Sequence, residues 1–239
     1  MGKKGGFFNN LLKLLKAGME AEKEQEQGET KRGAPSKAIK LKEVEGGSLS
    51  KSKSRTIGES DVNWEVRKDE YRDSVHIYRD GKEWFYVSER WVSNSGEYEF
   101  FDGFFGEESE GYALLQDGKG VKRARLNDSI VGAVMCDDGI AYALTEGGRF
   151  YTITKDSTVS QLLMDYMDNW LLTEVYCVVA EDTREQIKIK ILYIKEGKIK
   201  TGTVKKPRGC EQQAETKMRI AGRTLEISFP DGSRSTIAL

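Results

Sequence analysis

The chain has 239 residues, and its 38 basic and 39 acidic side chains leave a formal net charge of −1. One histidine and three widely separated cysteines, without a Cys-x-x-Cys pair, argue against common zinc and dithiol redox sites and predict reduced thiols in a cytosolic protein. No run approaches the roughly 18 apolar residues of a membrane span, so no spanning helix is predicted.

The charges are sorted by region. Residues 1–60 hold 13 basic and 8 acidic side chains, and residues 61–185 hold 13 basic and 26 acidic ones. Residues 186–208 reverse the sign, with 8 basic side chains and 1 acidic one. A surface of a single sign selects and steers partners of the opposite sign, so this sorting predicts charge-guided binding.

The first segment, residues 1–27, is predicted to be an amphipathic helix. Its apolar side chains fall on one side at helical spacing, and Asn9, Lys13 and Lys16 fill the other. Such a helix docks on protein or lies on a membrane surface, although the acidic residues at 20–26 would be repelled by anionic lipid. The residues predicted to bind a partner are Phe7, Phe8, Leu11, Leu12, Leu15 and Met19.

Residues 28–60 are predicted to be a flexible basic linker, because glycine, serine and lysine dominate and large apolar side chains are few. Within it, residues 38–44 have the alternation of a single edge strand that could pair with a partner.

Residues 61–239 are predicted to form an all-β, antiparallel, hairpin-rich body. Strand-like runs recur on either side of tight turns such as Asp80-Gly81, Asp138-Gly139 and Asp231-Gly232. Residues 131–153 are similar to a propeller blade, with three strands and two tight turns. A sandwich or a partly open barrel accommodates the same pattern.

One internal helix is predicted near residues 158–172. Asp156-Ser157-Thr158 could cap it, and apolar residues from Leu162 to Leu171 follow at helical spacing. His76 alternates with apolar neighbours and is predicted to be structural or to face solvent.

Two groups of residues are candidate binding sites. The first is a glycine-broken aromatic stretch with an acidic rim, whose aromatic rings either pack in the core or form an exposed loop for a basic partner. Its candidate residues are Phe100, Phe101, Phe104, Phe105, Glu107 and Glu108. The second is a basic hairpin at 186–208, whose lysines either protect a strand edge or bind an anion. Its candidate residues are Lys188, Lys190, Lys198, Lys200, Lys205, Lys206 and Arg208.

The sequence therefore predicts a non-catalytic interaction or assembly protein that docks a protein partner or a second copy through its N-terminal helix and its charged β-surfaces. No residues can be nominated as catalytic, cofactor-binding or metal-binding, and no cofactor is expected. Two alternatives stay open. One is binding of nucleic acid or another anionic surface by the basic hairpin, and the other is peripheral membrane attachment through residues 7–19.

Overall fold

The structure, a computed structural model, describes residues 39–44, 49–53, 55–57, 64–69, 74–79, 81–104, 112–116, 121–126, 128–210 and 216–239. All of them belong to one compact unit, Lys37–Leu239. The predicted N-terminal helix lies outside the described residues, together with its six candidate partner-binding side chains.

Three short strands precede the body. They are β1 (Lys42–Val44), β2 (Ser50–Lys53) and β3 (Arg55–Ile57), and they fall inside the region predicted to be a flexible linker. Each pairs with the outer strand of a different sheet of the same chain. The edge strand predicted within residues 38–44 is therefore found, but its partner is this chain.

The body begins with a run of antiparallel strands joined by short connections, which we call sheet 1. Its members are β4 (Trp64–Asp69), β5 (Ser74–Arg79), β6 (Lys82–Val92), β7 (Glu99–Phe104), β8 (Tyr112–Gln116) and β9 (Val121–Arg125). The strands lie side by side in chain order, and β3 is added beside β9. The 11-residue strand β6 serves two neighbours, since its first half pairs with β5 and its second half with β7.

Three further sheets repeat the same plan. Sheet 2 contains β10 (Ile130–Met135), β11 (Ala141–Thr145), β12 (Arg149–Ile153) and β13 (Ser157–Leu162), with β2 added beside β13. Sheet 3 contains β14 (Asn169–Leu172), β15 (Tyr176–Asp182), β16 (Gln186–Tyr193) and β17 (Lys198–Lys205), with β1 added beside β17. Sheet 4 contains β18 (Lys217–Ala221), β19 (Thr224–Ser228) and β20 (Arg234–Ala238).

The all-β, antiparallel prediction is confirmed across the described residues, in which every strand pairing is antiparallel. The predicted hairpins are present because the turns supply the backbone geometry that they need. Gly139 and Gly197 have φ values of +79° and +65°, a region in which side chains are strained and glycine is not.

Three apolar layers join successive sheets. In strand β11, Ala141 and Ala143 face sheet 1, whereas Tyr142 and Leu144 face sheet 3. Strand β15 divides in the same way, with Cys177 and Val179 toward sheet 2 and Val178 and Ala180 toward sheet 4. These strands are nearly continuous apolar runs because both of their faces are buried.

Strands of successive sheets also contact one another directly. Strand β6 contacts β10, β10 contacts β14, and β14 contacts β18. The contact between β10 and β14 is close, because a Cβ atom on Gly132 would lie 2.4 Å from the indole ring of Trp170. Glycine in a strand interior often marks such a close approach.

The predicted helix near residues 158–172 is wrong. This segment contains the strands β13 and β14, which pair with β12 and β15, and the chain crosses from sheet 2 to sheet 3 between them. The supposed apolar stripe does not form one buried face, since Tyr166 is 64% exposed and Trp170 is 38% exposed. Pairing with the neighbouring strands of each hairpin outweighs the helical spacing of the apolar residues here.

Candidate functional site

The basic hairpin does not present its four central lysines as one patch. Cross-strand register places Lys188 and Lys190 opposite Thr203 and Thr201, whereas Lys200 lies opposite Ile191. Directly opposed residues share a face of the sheet. Lys188 and Lys190 are therefore on one face, and Lys198 and Lys200 are on the other with the isoleucines.

Each of these four lysines also has a partner within the chain. Lys188 pairs with Glu181 at 3.0 Å, and Lys190 Nζ donates to the Leu163 carbonyl oxygen at 2.6 Å. Lys198 lies 3.9 Å from Glu43, and Lys200 donates to the Tyr193 hydroxyl at 3.2 Å while lying over its ring. Each of the four side chains therefore has a contact within the chain, and together they do not form one continuous basic surface.

The remaining members of this candidate set separate by burial. Lys205 and Arg208 are exposed. Lys206 is buried and forms an ion pair with Asp182, and both side chains are only 4% exposed. Thr216 donates from its hydroxyl to the other Asp182 oxygen at 2.8 Å, and its carbonyl oxygen accepts a hydrogen bond from Asn169 Nδ2 at 2.9 Å. Lys206 therefore belongs to a buried cluster of polar contacts where sheet 3 meets Thr216, which directly precedes sheet 4. Its ammonium group is not available to an external ligand.

The aromatic candidate set is also divided. Phe100 and Phe101 lie in β7 and are both 0% exposed, which rules out their predicted use as exposed loop residues. Phe100 packs in the layer between sheets 1 and 2, and Trp91 lies 5.7 Å from it between ring centroids. Phe104 belongs to the same strand. Phe105, Glu107 and Glu108 lie outside the described residues.

His76 is placed on β5, and its Nδ1 atom contacts the carboxylate of Glu83 across the hairpin. This is the structural role predicted for the side chain. Within the described ranges, no group of three or more histidine, cysteine, aspartate or glutamate residues is arranged to hold a metal ion. In the same ranges, no helix is long and apolar enough to cross a membrane.

One turn from each of sheets 1, 2 and 3 lies at the same end of the stack. The backbone N–H of Ser95, between β6 and β7, donates to Asp137 Oδ1 at 2.7 Å. The Tyr98 ring packs against Gly139, where a Cβ atom would lie 2.9 Å from Cε1. Glu174, between β14 and β15, is near enough to act electrostatically on the Cys136 thiol.

The result is an acidic end, which we define by Glu97, Asp137, Asp138 and Glu174, all of them exposed. The negative charge of this end affects the pKa of the nearby Cys136 thiol. Burial, followed by Glu174 and Asp138, raises the pKa of that thiol to about 11, while Lys195 acts in the opposite direction. The thiol is therefore protonated and unreactive at neutral pH.

The acidic excess of residues 61–185 is evident in the sequence, but this convergence is not. The four acids occupy turns between neighbouring strands of sheets 1, 2 and 3. These turns come together only because the sheets stack in chain order. Neither a scan against protein-family models nor a search of curated proteins found a match to this chain.

Proposed function

We propose that this chain is a non-catalytic interaction protein that binds a basic partner at its acidic end. The observation that carries the proposal is the convergence of three turns, one from each of three successive sheets, which brings Glu97, Asp137, Asp138 and Glu174 together. A surface of one sign raises the encounter rate with a partner of opposite sign and selects against like-charged competitors.

We further propose that the four sheets act as blades of a propeller-like body. Three features support this: each sheet is a meander in chain order, each packs on the next, and strands of neighbouring sheets contact one another, β6 with β10, β10 with β14 and β14 with β18. In that arrangement the turns β6–β7, β10–β11 and β14–β15 share one end, which makes that end a rigid platform. A rigid platform lets charged loops hold a fixed spacing for their partner.

A matched pair of charge reversals tests the acidic end. Glu97→Lys/Glu174→Lys changes it, and Glu146→Lys/Glu185→Lys makes the same change in net charge in turns at the other ends of the strands. Binding to an immobilised lysine-rich peptide is measured by interferometry at several salt concentrations. We expect the first variant to bind about tenfold more weakly and to lose its salt dependence, because the reversed charges repel the peptide.

The control separates a local surface from net charge. If both double variants weaken binding equally, the peptide senses only the overall charge, and the proposal of a specific acidic end is wrong. The unchanged chain and the two double variants, used as baits, identify cellular partners whose capture depends on Glu97 and Glu174 and not on Glu146 and Glu185.

A further inference from the structure

Strands β1, β2 and β3 pair along the outer edges of three sheets, taken in reverse chain order. Strand β1 pairs with β17 of sheet 3, β2 with β13 of sheet 2, and β3 with β9 of sheet 1. Each pairing is a strand addition, in which backbone hydrogen bonds hold the added segment against the edge of a sheet. The contact with β17 is the one whose side chains are described.

The β17 edge is shaped for the residues that occupy it. A Cβ atom on Gly202 would lie 2.8 Å from Leu41 Cδ2 and 3.9 Å from Ile39 Cγ2. Glycine at this interior strand position therefore opens a recess that the leucine fills. Ile39 and Leu41 both pack against the apolar layer between sheets 3 and 4.

The polar side chains of the same segment complete the recognition. Glu43 lies 3.9 Å from Lys198, and both side chains are largely exposed. The register is fixed, with Lys42 opposite Thr201 and Val44 opposite Ile199. The contacts of the edge therefore involve two apolar residues, Ile39 and Leu41, with one residue between them, and the acidic Glu43 two residues later.

The described hold on this segment is slight. Strand β1 has three residues, and the two apolar side chains that precede it, Ile39 and Leu41, are only partly buried. The one described ion pair of the segment, between Glu43 and Lys198, is exposed. Segments with few buried contacts open at much lower free energy than the core of a protein. When the segment leaves, the β17 edge and its Gly202 recess become available to an identical segment.

We propose that the outer edge of β17 is a strand-addition site that accepts residues 39–44 of a second copy of this chain. Exchange forms the same hydrogen bonds and fills the same recess between two chains instead of within one, so that no new complementarity is required. Reciprocal exchange joins two copies of the chain through their residues 39–44. This inference concerns a different surface from the acidic end and does not depend on it.

The test uses full-length chains with paired cysteines. Directly opposed residues of an antiparallel pair have Cα atoms about 4.5–5.5 Å apart, within the range that a disulfide spans. One preparation carries Lys42→Cys and a mass tag, and the other carries Thr201→Cys. After mixing at high concentration and mild oxidation, we expect a disulfide-linked heterodimer on non-reducing gels, with the 42–201 link found by mass spectrometry. The native cysteines are buried and do not compete.

Two controls make the outcome decisive. Thr203→Cys lies two residues out of register on the same face, and we expect it to give at least fivefold less heterodimer with Lys42→Cys. Adding Gly202→Val to the Thr201→Cys chain fills the recess and should reduce the yield to a similar extent, while thermal unfolding shows whether that chain is folded.

The double variant Lys42→Cys/Thr201→Cys reports pairing within one chain. If it forms its internal link while the mixed single variants give no heterodimer, the segment does not exchange and the proposal is overturned. Equal yields with the Thr201→Cys and Thr203→Cys chains would overturn it as well, because they would indicate random collision.

Discussion

The buried ion pair between Lys206 and Asp182 gives the sharpest test of the polar cluster at which Thr216, next to sheet 4, meets sheet 3. Both side chains are 4% exposed, and Thr216 donates a hydrogen bond to the same carboxylate. Removing one partner leaves the other charge buried without compensation, which typically costs about 3–5 kcal/mol. We therefore expect Lys206→Met, which keeps the aliphatic stem, to lower the free energy of unfolding by about 3–5 kcal/mol.

A loss of this size is readily measured. For a domain of roughly 200 residues, about 1 kcal/mol corresponds to about 2–4 °C, so Tm should fall by roughly 6–20 °C. Urea unfolding followed by circular dichroism and by tryptophan fluorescence gives the free energy directly. The double variant Lys206→Met/Asp182→Asn removes both charges but retains an acceptor for Thr216, and it should recover most of the loss.

An exposed pair in the same sheet is the matched control. Lys188 and Glu181 are 3.0 Å apart, but both are partly open to solvent, so Lys188→Met should cost less than about 1 kcal/mol. If Lys206→Met costs no more than Lys188→Met, the buried pair does not stabilise the fold and the reasoning fails.

Two further predictions concern a buried carboxyl group in sheet 1 and the contact between sheets 2 and 3. Burial raises the pKa of Asp102 from 3.8 to about 6, with the Gly103 backbone N–H acting against the shift and Glu89 adding to it. The folded protein therefore binds this proton more tightly than the unfolded chain, and the free energy of unfolding should decline as the pH rises from about 4 to about 6. Asp102→Asn should then add about 1 kcal/mol at about pH 7, after allowance for solvent screening, and nothing near about pH 3.5; an equal gain at both pH values would refute this. Gly132→Ala should displace the Trp170 ring, lower stability by about 1–3 kcal/mol and shift the tryptophan emission, whereas an unchanged spectrum and Tm would contradict the close contact of β10 and β14.

Much of the fold follows from local sequence. Alternating apolar residues and the turns at Gly139 and Gly197 predicted β10, β11, β16 and β17 close to where they lie. The prediction failed at 158–172, because spacing alone does not distinguish a helix from two short strands with a crossing between them. Strands of that length form only when their neighbours are already in place.

The candidate sites divide along the same line. Phe100 and Phe101 were correctly recognised as residues that either pack in the core or serve a partner, and burial decides for the core. The basic hairpin was correctly placed on two adjacent strands. Its division into two lysine pairs on opposite faces depends on register, which the turn at Glu196-Gly197 sets and composition does not reveal.

Most of the strands, the turns and the sorting of charge by region can be read from the chain, because strand alternation and turn chemistry are properties of a few consecutive residues. Which of those charges are free to act depends on contacts made in the folded protein. The tertiary structure buries Lys206 against Asp182, brings Glu97, Asp137 and Glu174 to one end, and seats Leu41 over Gly202. These arrangements join residues far apart in the chain, so they depend on how the strands pair and the sheets stack and not on any local pattern.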